Sequence, residues 1–98
     1  MNNISFEWDE NKAKMNYSKH GVRFETAARV FGDASRLELL DEEHSFEEER
    51  NITIGSAGDI ILILFVVYTE RNDCIRIISA RKATKEEREV YYLGKENY

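Results

Sequence analysis

The segment "IILILFVVY", residues 60–68, is apolar at every position. A strand with one face in water alternates apolar and polar residues, so an unbroken run of this kind reads as the central strand of a sheet, covered on both faces. Such a strand needs neighbours. On one side "RNITIGS" from Arg50 alternates, with Ile52 and Ile54 toward the core and Asn51, Thr53 and Gly55 opposite. On the other, "CIRIISAR" begins at Cys74. The turns "AGD" at 57–59 and "RND" at 71–73 are short enough for hairpins, which makes these three strands consecutive and antiparallel.

The remaining elements are read from spacing. "ISFEW", residues 4–8, can place Ile4, Phe6 and Trp8 on one face of a short first strand. Asp9 suits an N-cap for the helix "ENKAKMNYSKH", and Gly21 suits its left-handed end; Lys12, Asn16 and Lys19 or His20 then form one polar stripe. Phe24, Ala27, Ala28 and Phe31 fall at i, i+3, i+4 and i+7, the buried face of a second helix ending at Gly32 and Asp33. "RLELL" follows as a strand with Leu37 and Leu39 inward, and Thr84 with Glu87 has the capping-box spacing that starts a last helix ending near Gly94. The expected fold is α+β: an antiparallel sheet of about five strands, two N-terminal helices and one C-terminal helix, in the order β-α-α-β-β-β-β-α. A chain of 98 residues forms one such domain, residues 1–98.

Charge narrows the function. The net charge of −5 argues against indiscriminate nucleic-acid binding, yet the charge is segregated. "DEEHSFEEE", residues 41–49, is a concentrated acidic block, read as a solvated loop or a docking surface, while Lys12, Lys14, Lys19, Arg23 and Arg29 load the N-terminal third. A local basic site can therefore exist on this acidic chain, and a basic partner is also expected. The longest apolar run is far below the roughly 20 residues that cross a bilayer, no basic-then-apolar leader opens the chain, and the single cysteine, Cys74, fits a reducing compartment; a cytoplasmic protein without membrane contact is expected.

Metal and cofactor motifs are missing. His20 and His44 are the only histidines, and neither has a second ligand at zinc spacing; glycine-rich phosphate loops and serine-hydrolase turns are absent too, so no metal and no cofactor is expected. What remains is a set of arginines. Arg76 interrupts an apolar strand and must reach an anion or a carboxylate, with Glu49, Glu70 or Glu87 as structural alternatives to a ligand. Arg81 stands at the strand end before a helix start, a setting for a two-pronged phosphate contact or for a solvated charge. Strict alternation separates them: Arg76 shares a face with Ile78 and Ala80, and Arg81 with Ile77 and Ser79, so one site for both needs a bend or a bulge. His20, with the near-neutral intrinsic pKa of about 6.5 typical of histidine, is a candidate base or a helix-end cap. Tyr91 and Tyr92 can stack on a base or pack the last helix.

"FEWDENKAKMNYSKHGVRFETAARVFGD", "EERNITIG" and "RIISARKATKEEREVY" together resemble the BrnT-type toxins of bacterial type II toxin–antitoxin modules, and the resemblance covers essentially the whole chain. It implies a small ribonuclease toxin with a RelE-like fold, acting on RNA to arrest growth, neutralised by a BrnA-type antitoxin that itself binds operator DNA. Its site positions fall on Lys19, His20, Glu49, Arg50, Arg76, Arg81 and Tyr91. On that implication Arg81 and Arg76 bind the scissile phosphate, Arg50 and Lys19 orient the backbone, and His20 or Glu49 assists proton transfer. The residues alone leave an alternative: a non-catalytic binding module whose basic strand end captures an acidic partner or nucleic acid.

Overall fold

The computed structural model describes residues 4–44, 48–59 and 61–96; Ser45, Phe46 and Glu47 of the acidic segment and Ile60 of the apolar run lie outside the described residues. Five strands, β1 (Ser5–Glu7), β2 (Leu37–Leu40), β3 (Asn51–Ser56), β4 (Ile63–Arg71) and β5 (Cys74–Lys82), form one sheet in the order β1-β5-β4-β3-β2. The helices are α1 (Glu10–His20), α2 (Phe24–Ala28) and α3 (Lys85–Glu96). The chain is therefore α+β in the expected element order, with the apolar strand β4 near the centre.

Sheet direction departs from expectation at one edge. The β2–β5 pairs are antiparallel, but β1 pairs parallel to β5, with Phe6 opposite Ile75. The cause is connectivity: β1 reaches the sheet before α1 and α2 rather than through a hairpin, and it fills the outer edge that the β2–β5 meander leaves open. The β4–β5 hairpin closes through Asn72 and Asp73, both at positive φ (49° and 65°), the paired left-handed geometry of a tight two-residue turn.

The larger core lies on one face, where Val22, Phe24, Ala27, Val30 and Phe31 of the α1–α2 region meet Leu64, Val66, Tyr68, Ile77 and Ala80 of β4 and β5. Phe31 sits edge-on to Tyr68 at 4.8 Å and tilts against Phe6 at 5.4 Å. On this face Thr53 and Gly55 are buried, while Ile54 is buried on the other as expected, so β3 is covered on both faces rather than on one. The reason is steric: a Cβ at Gly55 would lie 2.8 Å from Arg36 Cβ and 2.9 Å from Val30 Cγ1, so only glycine admits the 3-10 turn Arg29–Gly32 this close to β3. Thr53 is satisfied by donating its hydroxyl to the Leu37 carbonyl at 2.8 Å.

The opposite face carries a smaller cluster in which Tyr91 and Ala83 cover Ile54 and Ile63, with Leu37, Ile52 and Phe65 at its margin. Helix α3 covers only this end of the face, so the expectation that β4 is covered along its whole length fails. Phe65 and Val67 are only half-buried, Leu39 is exposed rather than inward, and Ile61 at the head of the apolar run is 88% exposed, outside the strand. Among the described residues no helix is long and apolar enough to cross a membrane.

Candidate nucleic-acid cleft

Strand β5 does not alternate strictly. Val67 pairs with Ser79 and Tyr68 with Ile77, which leaves Ile78 without a partner on β4: a bulge of one residue. Arg76 is then opposite Thr69, and Arg81 is opposite Phe65. Because Phe65, Val67 and Thr69 alternate along β4 they share a face, so the bulge turns Arg76, Ser79 and Arg81 onto that same face. It is the face α3 leaves open.

Helix α1 holds the outer flank of this surface. Asp9 caps it by accepting from the Asn11 and Lys12 amides at 2.8 and 3.0 Å, and Gly21 ends it in the left-handed region at φ 69°. Beyond Arg76, β5 has no β1 neighbour, and Asn16 takes that role from α1. Its amide donates to the Ala80 carbonyl at 2.8 Å and the Val22 carbonyl at 3.0 Å, and its oxygen accepts from the Ala80 N–H at 3.1 Å. The expected polar stripe of α1 is thus split: Asn16 is buried at 7% exposure, while Lys12 and Lys19 flank it at the surface.

Three contiguous hollows make one cleft, and Ile78 lines all of them. One is mainly apolar, floored by Ile52, Phe65 and Val67 beneath the turn Asp41–His44. The second is charged, bounded by Lys12, Arg50, Arg71, Arg76 and Glu48 over Thr69. The third runs along α1 past Lys12, Met15, Lys19 and His20. Thr69, at the base of the charged hollow, is 1% exposed, and its hydroxyl has no hydrogen-bond partner among the described residues.

Of the residues singled out from sequence, Lys19, His20, Arg50 and Arg76 meet at this cleft. Arg76 also approaches Glu7 at 3.4 Å, a partner on β1 that sequence spacing did not suggest. Arg81 shares the sheet face but turns toward α3: both its terminal nitrogens bond the Glu87 carboxylate at 2.8 and 2.9 Å, and its guanidinium lies 3.9 Å from the Phe65 ring centroid. Glu87 simultaneously accepts from the Thr84 amide, as the expected capping box requires, and Arg81 is the main cause that holds its carboxyl below the usual range. Glu49 is exposed and does not line the cleft; its neighbour Glu48 does, gripping Arg71 with both oxygens. Tyr91 is 1% exposed in the smaller core, its hydroxyl donating to Asp33, with burial first and that carboxylate second pushing its phenol upward.

The sequence places Asn16 only on the polar stripe of α1, and it does not mark Thr69 or His44 as parts of this region. Asn16 and Thr69 give no periodic signal that separates them from surface polar residues. His44 was weighed only as a metal ligand, yet its Nδ1 lies 3.1 Å from each carboxylate oxygen of Asp41 and its ring borders both the apolar and the charged hollow. Among the described residues no three His, Cys, Asp or Glu side chains converge as metal ligands.

A cleft that mixes an apolar floor with arginines and lysines suits a nucleic-acid strand, with bases on the floor and phosphates on the cations. Residues 8–87 match the model of a family described as the ribonuclease toxin, BrnT, of type II toxin–antitoxin systems. The chain belongs to the BrnT family. The BrnT match takes in α1, the Asp41–His44 turn, β3, β4 and all of β5, and so every cleft residue named above; Tyr91 lies beyond it. As a BrnT protein the chain is a ribonuclease toxin of a type II system, with RNA as its target and an antitoxin as its partner. No curated protein matches it.

Proposed function

We propose that this BrnT toxin is an endoribonuclease that cuts RNA within the Ile78 cleft, without a resident metal, by attack of a ribose 2′-hydroxyl on the adjacent phosphate. The reaction needs an in-line geometry, a proton acceptor for the 2′-hydroxyl and cations for the charge that builds on phosphorus. As the 2′-oxygen bonds to phosphorus the bond to the 5′-oxygen breaks, that oxygen takes a proton from water, and the products end in a 2′,3′-cyclic phosphate and a 5′-hydroxyl. Arg76 and Arg50 hold the scissile phosphate above Thr69. Lys12 and Lys19 guide the backbone along α1, and His20 closes that end of the track. Arg81 supports the site by fixing α3 against Phe65, because its guanidinium is already engaged on two sides. The toxin acts in the cytoplasm, blocks translation and growth, and is silenced by a BrnA-type antitoxin.

The observation that carries this reading is the β5 bulge, which brings Arg76 to the open face beside Arg50 and Lys12. The test is cleavage of an RNA oligonucleotide by purified protein, with chelator present, beside the same oligonucleotide with 2′-deoxyribose throughout. RNA should be cut to cyclic-phosphate ends and the deoxy strand left intact. Replacing Arg76 by Ala should slow cleavage about a hundredfold or more, as removing a donor to developing charge does. Cleavage of the deoxy strand, or a wild-type rate in Arg76→Ala, would refute the mechanism.

A further inference from the structure

We infer that His44 is the general base of this cleft and that Asp41 positions it; the inference rests on the ribonuclease reading above. Its starting point is the hydrogen-bonded pair. Nδ1 of His44 faces both oxygens of Asp41 at 3.1 Å, so the carboxylate fixes Nδ1 as the protonated nitrogen and leaves Nε2 with its lone pair. An imidazole oriented in this way by a carboxylate is the arrangement that lets histidine take a proton from a hydroxyl and hold the charge that results. The side chains differ in solvent access as those roles require: His44 is 59% exposed, whereas Asp41 is 15% exposed.

Position supports the assignment. The backbone ties the turn to the site, since the Asp41 amide donates to the Arg50 carbonyl at 2.9 Å. His44 borders the hollow floored by Ile52, Phe65 and Val67 and also the hollow of Arg50 and Arg76. A nucleotide with its base on the apolar floor and its phosphate on the arginines therefore places its ribose beside His44. His20 lines only the α1 hollow, where no carboxylate holds it among the described hydrogen bonds.

Charged groups of both signs face His44. Asp41, Glu42 and Glu43 lie on its own turn, and Arg50, Arg76 and Lys12 face it across the charged hollow; Arg71 there is paired with Glu48. A base works only when neutral, so a histidine in this role gives the pH profile of cleavage an acidic limb.

The deciding experiment follows single-turnover RNA cleavage against pH for wild type, His44→Gln, Asp41→Asn and His20→Gln, alongside binding of a 2′-O-methyl RNA that cannot be cut. In His44→Gln cleavage should fall about 100- to 10,000-fold and the acidic limb should vanish, with 2′-O-methyl RNA bound as by wild type. Asp41→Asn should cut more slowly than wild type while binding 2′-O-methyl RNA as wild type does, because the imidazole has lost the carboxylate that orients it. An unchanged limb in His44→Gln, or a limb lost from His20→Gln instead, overturns the assignment while leaving the ribonuclease reading intact. Equal losses of binding and rate in His44→Gln also overturn it. A wild-type protein that cuts no RNA overturns both.

Discussion

Replacing Asn16 by Ala should be among the most damaging single changes outside the apolar core. Three hydrogen bonds leave with the side chain: two donated to the carbonyls of Val22 and Ala80, and one accepted from the Ala80 N–H. At 7% exposure Asn16 sits where water does not readily replace it. An orphaned buried N–H costs about 1–3 kcal/mol, and each lost neutral hydrogen bond about 0.5–1.5 kcal/mol. Taking about 2 kcal/mol for the Ala80 amide and about 0.5 kcal/mol for each carbonyl gives about 3 kcal/mol. For a domain of this size that lowers Tm by about 12–24 °C. Urea denaturation should show a lower midpoint with an unchanged slope, and hydrogen exchange should show the Ala80 amide losing protection. Asn16→Asp should be worse than Asn16→Ala, since a carboxylate keeps the Ala80 N–H but sets negative charge against two carbonyls. A loss below about 0.5 kcal/mol in Asn16→Ala would refute the idea that α1 completes the edge of β5, since surface changes stay within that limit.

The Arg81–Glu87 pair makes a prediction of opposite kind, because its partners are half-buried rather than sealed: Arg81→Ala and Glu87→Gln should each cost about 1 kcal/mol in thermal unfolding and loosen α3. Glu87 titrates below its ordinary value of 4.5 in the fold, so its contribution is full above pH 4.5 and is lost as pH falls through the lower folded value; Glu87→Gln should flatten that part of the acid-stability curve. Gly55→Ala should cost about 1–3 kcal/mol by overpacking, because the new methyl meets Arg36 Cβ and Val30 Cγ1 below 3.0 Å, and chemical denaturation will read it directly.

Local chemistry made some of this legible in the sequence. Asp9, Gly21 and the Thr84–Glu87 box each act within a few residues of themselves, and all three cap as their spacing required. The unbroken apolar run located the middle of the sheet for the same reason. The inward facing of Ile54 was legible from alternation, but the burial of Thr53 and Gly55 on the other face of β3 was not, because it comes from the close approach of the 3-10 turn. The parallel placement of β1 depends on which edge the meander leaves free. Periodicity framed the separation of Arg76 and Arg81 correctly, yet one unpaired residue on β5 cancels it. Bulges have no reliable sequence mark when, as at Ile78, the extra residue is as apolar as its neighbours.

The acidic balance of the chain acquires a role once its carboxylates are placed. Glu48 holds Arg71, Glu7 approaches Arg76 and Glu87 holds Arg81, so these three arginines of the open sheet face already carry carboxylate partners. On the proposed mechanism an incoming phosphate competes with a carboxylate, and a strand that also fills the apolar floor gains the further contacts that favour the exchange. On that mechanism a phosphate backbone alone binds weakly, which restrains the non-specific attraction that a bare cluster of arginines exerts on nucleic acids. The contacts differ in strength: Arg76 meets Glu7 at 3.4 Å through one nitrogen, while Arg81 and Glu87 form a two-pronged pair inside a helix cap. Exchange of carboxylate for phosphate is therefore easiest at Arg76, the arginine that the bulge turns into the cleft.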